Sequence, residues 1–160
     1  MRMTEHVVVP SGGEARIESR DGTAHGSGRG RTVLVVEDSD IIRRVLTLIL
    51  ESEGYRVVES AGGGDAVELA REQRPDVITL DLSLPDVDGR EVLRRLGADE
   101  SLRSVPVVVL SAFADTLSSA ERWHAADVIV KPFDLDDLLV RLERAASRVS
   151  DGEGGIGRSA

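Results

Sequence analysis

The sequence contains no cysteine among its 160 residues. That excludes disulfides, a thiolate zinc site and a cysteine nucleophile. Aromatic residues make up only 2%, too few for the stacking platforms that hold single-stranded nucleic acid. Positive charge is also short: 20 Lys and Arg stand against 29 Asp and Glu, a formal net charge of −9. This balance argues against direct nucleic-acid binding through phosphate contacts. No apolar run is long enough for membrane insertion. The start of the chain lacks the charged-then-apolar pattern of a secretory signal. A cytoplasmic location is therefore expected. Lysine is nearly missing as well: Lys131 is the only one, and all other Lys/Arg positions are arginine.

What is present reads as one domain between loose ends. The length suits a single domain with a real core. Residues 1–30 include "SGGEARIESRDGTAHGSGRG", rich in Gly, Ser and charge without an apolar period. They are predicted to be a disordered extension, with "EHVVVP" as a possible added edge strand ended by Pro10. Residues 150–160, "SDGEGGIGRSA", read as a flexible tail. The domain is placed at 31–149.

Within it, strand-like and helix-like segments alternate. "TVLVV" (32–36), "YRVVES" (55–60), "DVITL" (76–80), "VPVVVL" (105–110) and "DVIVK" (127–131) are rich in Val and Ile. Continuous apolar character of this kind marks parallel strands buried on both faces. Ile42, Val45, Leu46, Ile49 and Leu50 recur at helical spacing, as do Leu135, Leu138, Leu139 and Leu142. The first set predicts a buried helix face, with Ile41 and Leu48 exposed beside it. Asp65 with Glu68, and Asp88 with Glu91, have capping-box spacing. Asp134, Asp136 and Asp137 put negative charge at a helix start, where the macrodipole favours it. "AGGGDA" (61–66) lacks the Gly-Lys-Ser/Thr of a P-loop and reads as a flexible loop capped by Asp65. Trp123 is expected to pack on the fourth helix, near its end. The order βαβαβαβαβα predicts a doubly wound parallel sheet with helices on both faces.

In such sheets, sites form beyond the carboxyl ends of the strands. Strand 1 leads into Glu37 and Asp38, strand 3 into Asp81, strand 4 into Ser111, and strand 5 ends on Lys131. In the order 2-1-3-4-5 the three carboxylates crowd together. Mutual repulsion would raise their pKa values, and a hard divalent cation such as Mg²⁺ relieves the conflict with oxygen ligands alone. The lysine is a compact charge on a long stem that reaches across strand 4 toward Asp81. Pro132 fixes the turn after it. His6, His25 and His124 all lie away from the predicted strand ends, which disfavours a Ser-His-Asp hydrolase.

Taken together, "VLVVEDSD", "DVITLDLSLPDVDG", "VPVVVLSA" and "VIVKPF" resemble the response-regulator receiver domain of two-component signalling, the chemotaxis-regulator type. The resemblance covers residues 31–149. It implies a flavodoxin-like (βα)5 fold with strand order 2-1-3-4-5, and Asp81 as acceptor of a phosphoryl group from a histidine kinase or histidine phosphotransfer protein. By the same resemblance Glu37, Asp38, Asp81 and the backbone carbonyl of Ser83 hold Mg²⁺. Ser111 binds a phosphoryl oxygen and Lys131 pairs with the phosphoryl group. The protein then is a stand-alone switch or relay that catalyses only its own phosphorylation and dephosphorylation and acts on a downstream protein still to be identified.

Two positions depart from the family pattern. Val128 stands where an aromatic switch residue is usual, so the signal is expected to run through the loop after strand 4 and the fourth helix. His124 stands where glycine is common, and would suit a positive φ better than most side chains. Two rival readings fit the same residues less well. A haloacid-dehalogenase-like phosphatase or phosphotransferase wants a second acid two residues after the nucleophile, where Ser83 stands. A pseudo-receiver that only binds is disfavoured by the intact set Glu37, Asp38, Asp81, Ser111 and Lys131.

Overall fold

The computed structural model describes residues 29–150. In chain order the elements are β1 (Thr32–Val36), α1 (Asp40–Ser52), β2 (Arg56–Ser60), α2 (Ala66–Gln73), β3 (Val77–Asp81), α3 (Gly89–Ala98), β4 (Val107–Ser111), a 3-10 turn (Ala114–Thr116), α4 (Ser119–His124), β5 (Asp127–Val130) and α5 (Leu135–Ser150). The five strands are parallel in the order β2-β1-β3-β4-β5. This is the flavodoxin-like topology expected. The predicted terminal segments, "EHVVVP" included, lie outside the described residues apart from Arg29, Gly30 and Ser150.

Alternation along each strand divides the core in two. Leu34, Val36, Ile78, Leu80, Val107 and Val109 pack with α2 and α3. Val33, Val35, Val77, Val108, Leu110 and Ile129 pack with α1 and α5. Each fully buried Leu or Val contributes about 1.5–3 kcal/mol relative to exposure. These two layers hold the strand ends in place.

Two strands begin and end one or two residues later than predicted. Pro106 has no N–H for the ladder, so β4 starts after it. At their far ends Asp81 and Ser111 are themselves in register, opposite Leu110 and Val130.

The caps also differ. The backbone of Asp65 is already helical, and its carboxylate accepts the Ser60 hydroxyl at 2.7 Å instead of capping α2. Asp88 does cap α3, accepting Arg90 N–H at 2.9 Å. Glu91 turns away to Arg94 and Arg95, at 2.7 and 2.8 Å. The capping box is instead at α4, between Ser118 and Glu121. Asp134 accepts from the N–H groups of Asp136 and Asp137.

Three side chains are more exposed, or differently placed, than their spacing predicted. Val45 is 42% exposed and forms one face with Ile41 at 78% and Leu48 at 59%. The sheet contact of α1 centres on Leu46 and Leu50; a neighbour in sequence lies about 100° round the helix. Trp123 is 87% exposed, because α4 is only six residues long and buries none of them. His124 ends α4 in ordinary helical backbone. Among the described residues, the non-glycine residue with positive φ is Arg74, at 45°, which ends α2 before Pro75. The Lys131–Pro132 peptide is cis.

Candidate acidic site at the carboxyl edge of the sheet

Strand order reverses between β1 and β3, so a crevice opens beyond their carboxyl ends. Asp81 is the last residue of β3 and 4% exposed. Glu37 follows β1 and is 1% exposed, whereas Asp38 beside it faces solvent. The acidic pair is therefore unequal, a distinction the sequence did not signal. Lys131 follows β5, and its stem crosses β4 as predicted. Its ammonium donates to Glu37 Oε2 and to Asp81 Oδ2, each at 2.9 Å.

The remaining oxygens are also placed. Ser39 N–H donates to Glu37 Oε1 at 3.2 Å, and Ser83 N–H donates to Asp81 Oδ1 at 2.9 Å. Ser111 ends β4, buried, and its Oγ accepts Phe113 N–H at 3.0 Å. Its hydroxyl proton is left to donate elsewhere. The structure thus brings Glu37, Asp38, Asp81, Ser111 and Lys131 to one edge, with the Ser83 backbone alongside.

Burial pushes the Glu37 carboxyl above the usual carboxylate range, against the pull of Lys131. For Lys131, burial works to lower the pKa, but hydrogen bonds to Asp81 and Glu37 outweigh it and the net direction is up. The ammonium is thus held charged. Buried ion pairs of this kind give little net stability, because desolvation offsets their attraction.

One oxygen each from Glu37, Asp38 and Asp81 lies within 4.8 Å of the others. Three hard oxygen donors converging on a partly buried point fit Mg²⁺; nitrogen and sulfur ligands that would favour other metals are not in the cluster.

Two contacts that shape the site had no local signal. Arg43 donates to the carbonyls of Glu37 and Asp38 at 2.9 and 3.4 Å, fixing the β1–α1 loop. Asp86 accepts from Gly63 N–H at 2.9 Å and Gly64 N–H at 2.8 Å. Those two donors hold the Asp86 carboxyl below its usual range. They tie "AGGGDA" to the β3–α3 loop, so it is an anchored segment and not the free loop predicted. Gly89 matters for the same loop: a Cβ there would come within 2.5 Å of the Asp81 carbonyl oxygen and of Leu82 Cα. Only glycine lets α3 start this close to β3.

A sequence model of the response regulator receiver domain matches residues 33–143. The chain belongs to this receiver family. Receivers are signalling modules of two-component systems, phosphorylated by histidine kinases or phosphotransfer proteins. The transcriptional regulatory protein PdtaR of Mycobacterium tuberculosis is 40% identical over 121 residues, 74% of this chain and 58% of that protein. The polar-differentiation response regulator DivK of Brucella anthropi is 39% identical over 84 residues, 52% of this chain and 68% of DivK. This receiver thus spans little more than half the length of PdtaR. Among solved structures, the receiver domain of the sensor histidine kinase PA1611 from Pseudomonas aeruginosa superposes with a TM-score of 0.65 at 35% identity. That alignment covers 74% of this chain and 98% of that one, and the structure has a magnesium ion coordinated in its active site cleft. Among the described residues, no helix of this receiver is long and apolar enough to cross a membrane.

Proposed function

We propose that this receiver, residues 31–149, accepts a phosphoryl group on Asp81 from a histidine kinase or histidine phosphotransfer protein. The observation that carries the reading is the Lys131 ammonium, 2.9 Å from both Asp81 and Glu37. An Asp81 oxygen attacks phosphorus in line with the donor nitrogen. The P–N bond breaks, its electron pair returns to the donor imidazole, and that ring takes a proton. Phosphoryl transfer needs positioning and charge stabilisation more than covalent chemistry. Lys131 supplies a fixed positive charge, and the Ser111 hydroxyl donates to an equatorial oxygen. Glu37, Asp38, Asp81 and the Ser83 backbone carbonyl would hold Mg²⁺, which when bound neutralises charge on the phosphoryl oxygens.

The switch starts at Ser111. Its Oγ already accepts from Phe113 N–H, so drawing the hydroxyl toward a phosphoryl oxygen pulls on the loop that leads into α4. Val128 is half-buried against the α2–α3 side of the core, is stiff at χ1 and is too short to sweep between positions. The signal therefore runs through the loop to α4 and on to a downstream protein. The exposed face Ile41, Val45 and Leu48 beside the site is the surface for the phosphodonor protein.

Incubation with acetyl phosphate and Mg²⁺ tests the reading by intact mass. One alkali-labile phosphoryl group is expected, absent in Asp81→Asn. Undiminished labelling of that variant would refute the assignment.

A further inference from the structure

At the opposite edge of the sheet lies a cleft of about 560 Å³. Its floor is apolar, made by Val105, Pro106, Ala125, Ala126 and Ala145. Arg103, His124 and Arg148 line it as well, and no carboxylate does. In a chain of net charge −9 this is a local reversal of sign. Arg103 and Arg148 have no ion-pair partner among the described residues. Arg43, Arg71, Arg90, Arg94, Arg95 and Arg141 are paired with acids, while Arg44, Arg56, Arg74 and Arg144 likewise have no ion pair among the described residues; what sets this cleft apart is that two such guanidiniums share it with Trp123 and with no carboxylate. Trp123, the only tryptophan, lines the same cleft and is 87% exposed. Leaving so large an apolar side chain in water forgoes the burial that would stabilise the fold.

The geometry points to a binding site for an aromatic anion: a planar ring system carrying a phosphate or carboxylate. The ring would lie against Trp123 and the apolar floor. The anionic group would take the arginine guanidiniums, whose planar forks match either oxyanion. The volume falls within the roughly 300–1,000 Å³ of small-molecule sites, which combine apolar walls with a few fixed polar groups. The described acceptor residues Asp81, Ser111 and Lys131 are not among the residues lining this cleft. The site would therefore be separate from the phosphoryl-accepting edge and does not depend on that function.

The test is calorimetry on the full chain with four probes: 1-naphthyl phosphate, 1-naphthoate, the neutral 1-naphthalenemethanol and inorganic phosphate. Saturable binding by at least one of the two ring-bearing anions, at least tenfold tighter than by both the neutral ring and phosphate, is expected. Which of the two binds tighter decides between phosphate and carboxylate. Arg103→Gln with Arg148→Gln should weaken that binding at least tenfold, and Trp123→Ser should do likewise. Circular dichroism and Asp81 labelling of these variants should match wild type. Equal binding of the neutral ring, no saturable binding by either anion, or unchanged affinity in the variants would overturn the assignment. So would a dimer in sedimentation that Trp123→Ser dissociates, since the cleft would then belong to a second copy.

Discussion

Helices α3 and α4 lie side by side, yet they are held by different forces. The ten residues of α3 bury Gly89, Val92, Leu93 and Leu96. The six residues of α4 bury none. Its order comes from the Ser118–Glu121 capping box and from Arg90, which reaches Glu121 at 3.4 Å. Apolar burial is lost only when an element leaves the core, whereas a helix cap contributes about 0.5–2 kcal/mol and a surface ion pair about 0–1 kcal/mol, and both re-form easily. Stability is therefore uneven across the receiver, and elements that move are drawn from the weakly held end. The contrast explains why a pull on Ser111 would be read out in α4 and not in α3. It also explains why the one tryptophan stands free at the end of α4.

The sharpest test of that contrast is the switch itself. Beryllofluoride with Mg²⁺ mimics an acyl phosphate, and Trp123 sits on the element expected to respond. Its fluorescence should change on addition, change equally in Val128→Ala and not change in Ser111→Ala. Loss of the response in Val128→Ala, with Asp81 labelling intact, would place the route through β5 instead.

Next in size is the energetic difference between the two helices. Leu93→Ala should lower unfolding free energy by about 2–5 kcal/mol. Trp123→Ser should stay within about 0.5 kcal/mol of wild type, as exposed positions do. Urea denaturation compares the two, and similar losses would mean that α4 is packed after all.

A smaller effect concerns the donor surface. Ile41, 78% exposed on α1, carries little folding energy. Ile41→Asp should slow transfer from the phosphodonor protein about tenfold while leaving acetyl phosphate labelling unchanged. Equal slowing of both would report damage to the site.

The smallest effect is electrostatic and lies on α3. Hydrogen bonds from Arg94, then Arg95, hold the Glu91 carboxyl at about 2. A depressed acid contributes stability above its unfolded pKa, near the ordinary 4.5, and loses it as pH falls through the folded value. Carbon-detected NMR should find Glu91 titrating near 2. A midpoint near 4.5 would show the pairing to be open in solution.

Much of this was legible in the chain because the signals are local. Runs such as "TVLVV" and "DVITL" specify buried strands, since continuous Val and Ile suit a sheet covered on both faces. Strand ends that carry Glu37, Asp38, Asp81, Ser111 and Lys131 mark the candidate site, since parallel topology gathers strand ends at one edge. Capping was less legible. The Asp65 and Glu91 spacings fit a box, but each carboxylate found a stronger partner, Ser60 in one case and Arg94 with Arg95 in the other.

Sequence alone determined the alternation of strands and helices, the parallel sheet and which side chains stand at the strand ends of the candidate site, because periodicity and strand-end residues depend on near neighbours. Tertiary structure alone decided which acid of the pair is buried, and that Lys131 bridges Glu37 and Asp81. It alone joined Asp86 to Gly63 and Gly64 across the loops. It alone left Val45 and Trp123 in solvent. These outcomes depend on distances between segments far apart in the chain and on how long each helix is against its neighbour. No local pattern encodes either quantity.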